Sequence, residues 1–188
     1  CSVRDLLAPN GRSRPNPERV GGMTASGGFG WFRVEPMDLR VAAYAVVVDD
    51  ADRLLLAHWN EGRRAAWTLP GGGLEPGEDP AAAARREVRE ETGFDVELDE
   101  LLGINSRVIP GNRRITPGAT EPLHTLQIVY RAHITGGTLR HEIGGSTDRA
   151  GWFALSEVGQ LQHVRLVDVA LGLAGLTDEG PSLAAASG

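Results

Sequence analysis

Cysteine is almost absent: Cys1 is the only one in 188 residues. No disulfide can therefore form within the chain, and no thiolate zinc site is available. Five histidines occur, His58, His124, His133, His141 and His163, but none falls in an HxH or HExxH spacing. No apolar run approaches the ~18 residues that a transmembrane helix needs. The start of the chain lacks a basic stretch followed by an apolar one, so no secretory signal is expected and a cytoplasmic location is. Positive charge is also short. A formal net charge of −6 disfavours an extended nucleic-acid footprint and a surface seeking anionic lipid. An acidic protein still binds an anionic substrate where a bound cation mediates.

Apolar residues make up 41 %, enough for one core of ordinary size. Residues 1–36 have no sustained period and are rich in Gly, Pro, Ser and Arg. That composition predicts a flexible arm or, since the chain opens on Cys and carries Met23 and Met37 ahead of the first clear strand, a misplaced start. Residues 177–188 are expected to form a disordered tail. Residues 37–176 form the body. "VAAYAVVVDD", a turn at Asp49 to Asp52, and "RLLLAHW" predict a strand pair. "AWTLPGGG" reads as a short strand entering a glycine loop. "FDVELDELLGINSRVI" is extended, a Pro/Gly-rich loop runs from Pro110 to Pro122, and "LHTLQIVYRAHI" is a long strand turning at Gly136–Gly137 into "TLRHEI". After the strand "AGWFAL", a closing helix is expected to bury Leu166, Val169, Ala170 and Leu173. Strands on both sides of a central helix, with a second helix at the end, predict an α/β fold with a mixed β-sheet between helices.

That central helix carries the chemistry. Asp79 suits the N-cap, Pro80 the first helical position, and Gly93 a left-handed C-cap. Ala81, Ala84 and Val88 fall on one apolar stripe, while Arg85 and Arg89 project toward water. Glu87, Glu90 and Glu91 form a third stripe at i, i+3 and i+4, with Arg86 within reach of Glu90. The ordinary reading of three such glutamates is a solvated face. Their placement argues against it. Like charges at this spacing cost roughly 0.2–0.5 kcal/mol per pair, and the dipole at a helix C-terminal half adds about 0.3–1 kcal/mol. A divalent cation would turn the repulsion into ligation, and an all-oxygen donor set suits Mg²⁺, with Mn²⁺ as substitute, rather than zinc. The preceding "LPGGGLEPGED" lets backbone approach a metal or phosphate, but no Gly-Lys-Ser/Thr follows to make a P-loop.

Gly72, five residues, Glu78, seven residues and then "REVREETGF" resemble the complete Nudix box, GX5EX7REUXEEXGU. A chance match in a chain of this length is on the order of 10⁻⁶. The resemblance implies a Nudix-like α/β/α sandwich over residues 37–176, and hydrolysis of a nucleoside diphosphate linked to another group. By the same resemblance Glu87, Glu90 and Glu91 are metal ligands, joined by the carbonyl of Gly71. Arg86 orients the cluster and Glu78 supports it. Glu142 is the candidate external carboxylate for proton abstraction, with Glu121 second. The implied partner is a small nucleotide, and a homodimer is compatible with the family. Arg63–Arg64, Arg107 and Arg113–Arg114 are candidate phosphate contacts, each weighed against plain surface charge. Trp59 is weighed between base stacking and packing; Trp67 and Trp152 read as core or edge residues. Pro110, sixteen residues beyond Phe94, tilts the substrate slightly toward ADP-ribose. The alternative is a nucleotide-binding sensor without turnover, a class whose members usually have broken boxes and an added DNA-binding segment.

Overall fold

The structure, a computed structural model, describes residues 37–60, 65–116, 118–141 and 147–177. Strands β1 (Asp38–Val47), β2 (Arg53–Trp59), β3 (Ala66–Thr68) and β4 (Gly71–Gly73) precede helix α1 (Pro80–Thr92). Then follow β5 (Phe94–Ile109), a 3₁₀ turn (Gly111–Arg113), β6 (Leu123–Gly137), β7 (Thr147–Ala154), α2 (Leu155–Val158) and α3 (Arg165–Leu173). The strands make two sheets. One is four-stranded in the order β4-β1-β6-β5; the other is three-stranded in the order β3-β2-β7. The larger sheet is mixed, because β1 runs parallel to β6 while β4 and β5 pair antiparallel with their neighbours. None of the described helices is long and apolar enough to cross a membrane.

β1 explains why its sequence is apolar without alternation. Ala42, Tyr44 and Val46 face a core shared with Leu54, Leu56, Val129 and α3 residues Leu166, Val167, Ala170 and Leu171. Ala45 and Val47 face the opposite side, where Val88 of α1 packs with Leu55 and Val96. A strand covered on both faces reads as a continuous hydrophobic run. Val88 is fully buried, and burying a side chain of that size contributes roughly 1.5–3 kcal/mol. Ala43, Ala83 and Ala84 meet at the helix–sheet contact, so α1 lies close against the backbone of β1. The expected helix–sheet–helix layering therefore holds.

Four local expectations change. β1 and β2 do not pair as a hairpin; only a single bridge, Val48 to Leu54, joins them, and β2 enters the second sheet. Asp49 causes the turn by accepting from the backbone N–H of Ala51 and Arg53 at 3.0 and 2.9 Å. In "TLRHEI", residues 138–141 form no strand. Gly137 adopts φ +85°, after which the N–H of Arg140 donates to Thr92 O at 2.8 Å, tying the chain to the end of α1. α3 buries Leu166, Val167, Ala170 and Leu171, while Val169 is half-buried and Leu173 exposed. α1 buries Ala83 in place of Ala81, together with Ala84 and Val88. Trp67 and Trp152 pack as expected, Trp67 edge-on to Phe153 at 4.5 Å and Trp152 beside Phe94 at 5.9 Å.

Gly93 stands at φ +78° with its N–H bonded to Arg89 O, the left-handed cap that its position predicts. A Cβ there would lie 2.5 Å from Thr138 O. Gly93→Ala is expected to lower stability by about 1–3 kcal/mol, read as a reduced denaturation midpoint at unchanged m-value.

Candidate active site

The pieces of the site come from the glycine strand, the loop after it and α1. Asp79 caps the helix as expected, accepting from Ala81 and Ala82 N–H at 2.7 and 3.2 Å. One residue earlier, Glu78 takes both arms of a fork: Arg86 Nε donates to Oε1 at 2.8 Å and a terminal nitrogen to Oε2 at 2.9 Å. The same guanidinium donates to Glu87 Oε1 at 2.9 Å, to Glu90 Oε2 at 3.2 Å and to the carbonyl of Gly73 at 3.1 Å. A guanidinium has five N–H donors, and here each has an acceptor. Arg86 thus brings three carboxylates and a β4 carbonyl to one point.

The three helix glutamates are not equivalent. Glu90 is 52 % exposed and Glu87 16 %. Glu91 is only 3 % exposed, on the buried side of the helix, and its Oε2 accepts from the N–H of Gly71 at 2.9 Å. The sequence-predicted residues Gly71, Glu78, Arg86, Glu87, Glu90 and Glu91 are therefore brought into one connected group. Glycine is needed where β4 meets the helix and β1: a Cβ on Gly72 would lie 2.6 Å from Glu87 Oε1 of α1, and one on Gly71 would lie 2.6 Å from Tyr44 Cα of β1. The contact that Gly71 makes runs through its N–H, not the carbonyl expected to be a ligand.

Hydrogen bonds from Arg86, and after them the N–H of Glu75, hold the Glu78 carboxyl down at about 2. The same bonds to Glu78 raise Arg86 further above its ordinary value. Burial pushes the Tyr44 phenol up, with nearby Arg40 opposing and the charges of Glu91 and Glu87 adding to the rise.

Among the described residues, no three acidic or histidine side chains are gathered as they stand into a cation cage. The reason lies in the partners: Arg86 draws Glu87 and Glu90 toward itself, and Glu91 is turned to Gly71. The donor set still fits a hard cation, being carboxylate and carbonyl oxygen beside a strand of three glycines.

A family model of the NUDIX domain matches residues 38–169. The chain belongs to the Nudix family. It is 33 % identical over 135 residues to a MutT-like protein of Streptomyces ambofaciens, spanning 68 % of this chain and 75 % of that one. It is 30 % identical over 129 residues to an ADP-ribose pyrophosphatase of Methanocaldococcus jannaschii, spanning 68 % and 70 %. A NUDIX hydrolase structure from Nitrosomonas europaea superposes with a TM-score of 0.63 at 25 % identity, covering 77 % of this chain and 94 % of that chain. This Nudix domain is accordingly a hydrolase of pyrophosphate-type bonds.

Glu142 and Arg63–Arg64 lie outside the described residues. Glu121 stays in the loop before β6, where its carbonyl accepts from Arg114 at 3.0 Å and its carboxylate from Thr120. Arg114 is committed to Asp38 at 2.6 Å. Tyr44 and Arg40 were not legible as site neighbours. Their only signal is alternation along β1, which puts 40, 42 and 44 on one face.

Glu78 supplies a pH test. Its carboxyl is depressed from 4.5 to about 2, so the stability it contributes is complete above pH 4.5 and is lost as pH falls toward 2. Thermal melts across that window should show a smaller acid loss for Glu78→Gln than for the parent. Parallel curves would mean that the fork does not form in solution.

Proposed function

We propose that this domain hydrolyses the diphosphate of a nucleotide-type substrate with Mg²⁺, or Mn²⁺ in its place, held by carboxylates of α1. The observation that carries the reading is the five-bonded Arg86, which fixes Glu78, Glu87 and Glu90 around one point beside a buried Glu91 and a glycine strand. Glu87 and Glu91 are the proposed ligands closest to the ion, with Glu90 and the Gly71 carbonyl completing the set. Arg86 and Glu78 are positioning residues. The bound ion would neutralise charge on the diphosphate oxygens and lower the pKa of the attacking water. The water oxygen bonds to one phosphorus and its proton passes to a neighbouring carboxylate, the bond from that phosphorus to the bridging oxygen breaks, and the second phosphoryl group leaves with the bridging oxygen. Substrate class is supported by the two relatives, one named an ADP-ribose pyrophosphatase and one MutT-like.

The test is a substrate panel with Mg²⁺: dNTPs, ADP-ribose, NADH, dinucleoside polyphosphates and nucleotide sugars. At least one should yield a mononucleotide, and chelation of the metal should stop it. Glu91→Gln should cut turnover on the order of 10²-fold or more while circular dichroism stays native. Binding without consumption of any member would replace the hydrolase with a sensor.

A further inference from the structure

The larger sheet has a face that the carboxylate group leaves open. Arg40, Thr125 and Arg107 are in register across β1, β6 and β5, and Ala42, Gln127 and Asn105 form the next row. Residues in register on neighbouring strands share a face. In the third row, Tyr44, Val129 and Gly103, α3 lands on the sheet: a Cβ on Gly103 would lie 3.0 Å from Leu173 Cδ2. The first two rows form a floor beyond the Leu173 contact, in which Ala42 and Thr125 are buried while Arg40 and Arg107 are exposed.

Its chemistry is polar and cationic inside an acidic protein. Asn105 Nδ2 donates to Gln127 Oε1 at 2.7 Å, and the Gln127 amide lies near the Tyr44 phenol. The pair is held in place by its neighbours and only half-buried, so it keeps polar atoms for a ligand. Arg40 and Arg107 are both exposed, in one row two strands apart, roughly 10 Å by strand spacing. Neither side chain meets a carboxylate among the described residues, in contrast to Arg53, Arg86, Arg114 and Arg131. Arg40 also touches the other site. Its Nε and a terminal nitrogen lie 3.6 Å from where a Cβ of Gly73 would be, and the carbonyl of Gly73 is held by Arg86. A positive charge therefore stands across the glycine strand from the carboxylate cluster.

We propose that this floor receives the body of the substrate. Arg40 contacts the diphosphate, the Asn105–Gln127 amide pair hydrogen-bonds the nucleoside, and Arg107 adds positive charge at the outer end. The inference rests on the hydrolase reading above and extends it to the residues that decide which nucleoside diphosphate derivative is accepted. Side-chain amides offer a donor and an acceptor together, which suits the edge of a base. An arginine fork suits phosphoryl oxygens.

ADP-ribose serves as the probe. Arg40→Ala is expected to raise KM at least tenfold with kcat changed by less than about threefold, and Arg40→Lys to recover part of the loss. Calorimetry with a non-hydrolysable methylene analogue of ADP-ribose, in the Glu91→Gln background, should show the same loss of affinity for Arg40→Ala and a weaker one for Asn105→Ala. If both variants keep KM and affinity within about twofold of the parent while the parent turns over, the floor is not the substrate bed and the hydrolase reading stands. If the parent consumes no member of the substrate panel yet calorimetry shows Arg40-dependent binding, the hydrolase reading fails and the floor remains.

Discussion

A single guanidinium organises this site. Arg86 sits midway along α1 and places its donors on Glu78 before the helix, on Glu87 and Glu90 within it, and on the carbonyl of Gly73 in β4. The planar fork makes that possible, since two parallel bonds to Glu78 leave the remaining donors pointing elsewhere. Loop, strand and helix are thereby fastened at one point. The arrangement also answers why acidic residues tolerate the C-terminal half of a helix. Much of their mutual repulsion is offset locally, and the excess negative charge that one arginine cannot balance is what the proposed cation would meet.

Burial does the rest. Alanines 43, 83 and 84 let α1 approach β1 closely, and that approach brings Glu91 within 2.9 Å of the Gly71 N–H. A carboxylate withdrawn from water is costly unless hydrogen bonds compensate. The backbone of β4 provides one, and only glycine lets Glu87 of the helix lie so near at position 72 and β1 so near at position 71. Core packing and site geometry are therefore one problem.

Where expectation and structure part, long-range pairing is the cause. The turn at Asp49 to Asp52 was legible from composition, yet the strands on either side enter different sheets. Which partner a strand takes depends on segments far away in the chain: β1 lies against β6, some eighty residues later, and β2 against β7. The segment after Gly137 carries strand-like residues, but its backbone bonds go to the end of α1. Helical spacing placed the three glutamates on one side of α1. It did not reveal that the sheet would cover Glu91 and leave Glu90 half-exposed, because that boundary is set by the neighbouring strand and not by the helix.

What sequence alone determined is local: the ends of α1 through Asp79, Pro80 and Gly93, the i, i+3, i+4 acidic set, and the position of Arg86 within reach of it. Such features follow from backbone geometry over a few residues, where each spacing has one meaning. Tertiary structure alone decided that Glu78 and Gly73 close the circle around Arg86, that Glu91 is the buried carboxylate, and that Arg40, Gln127 and Asn105 from three strands share one face. Those relations arise from strand register. A shift of one residue would turn every side chain of a strand to the opposite face, and no short stretch of sequence specifies that choice.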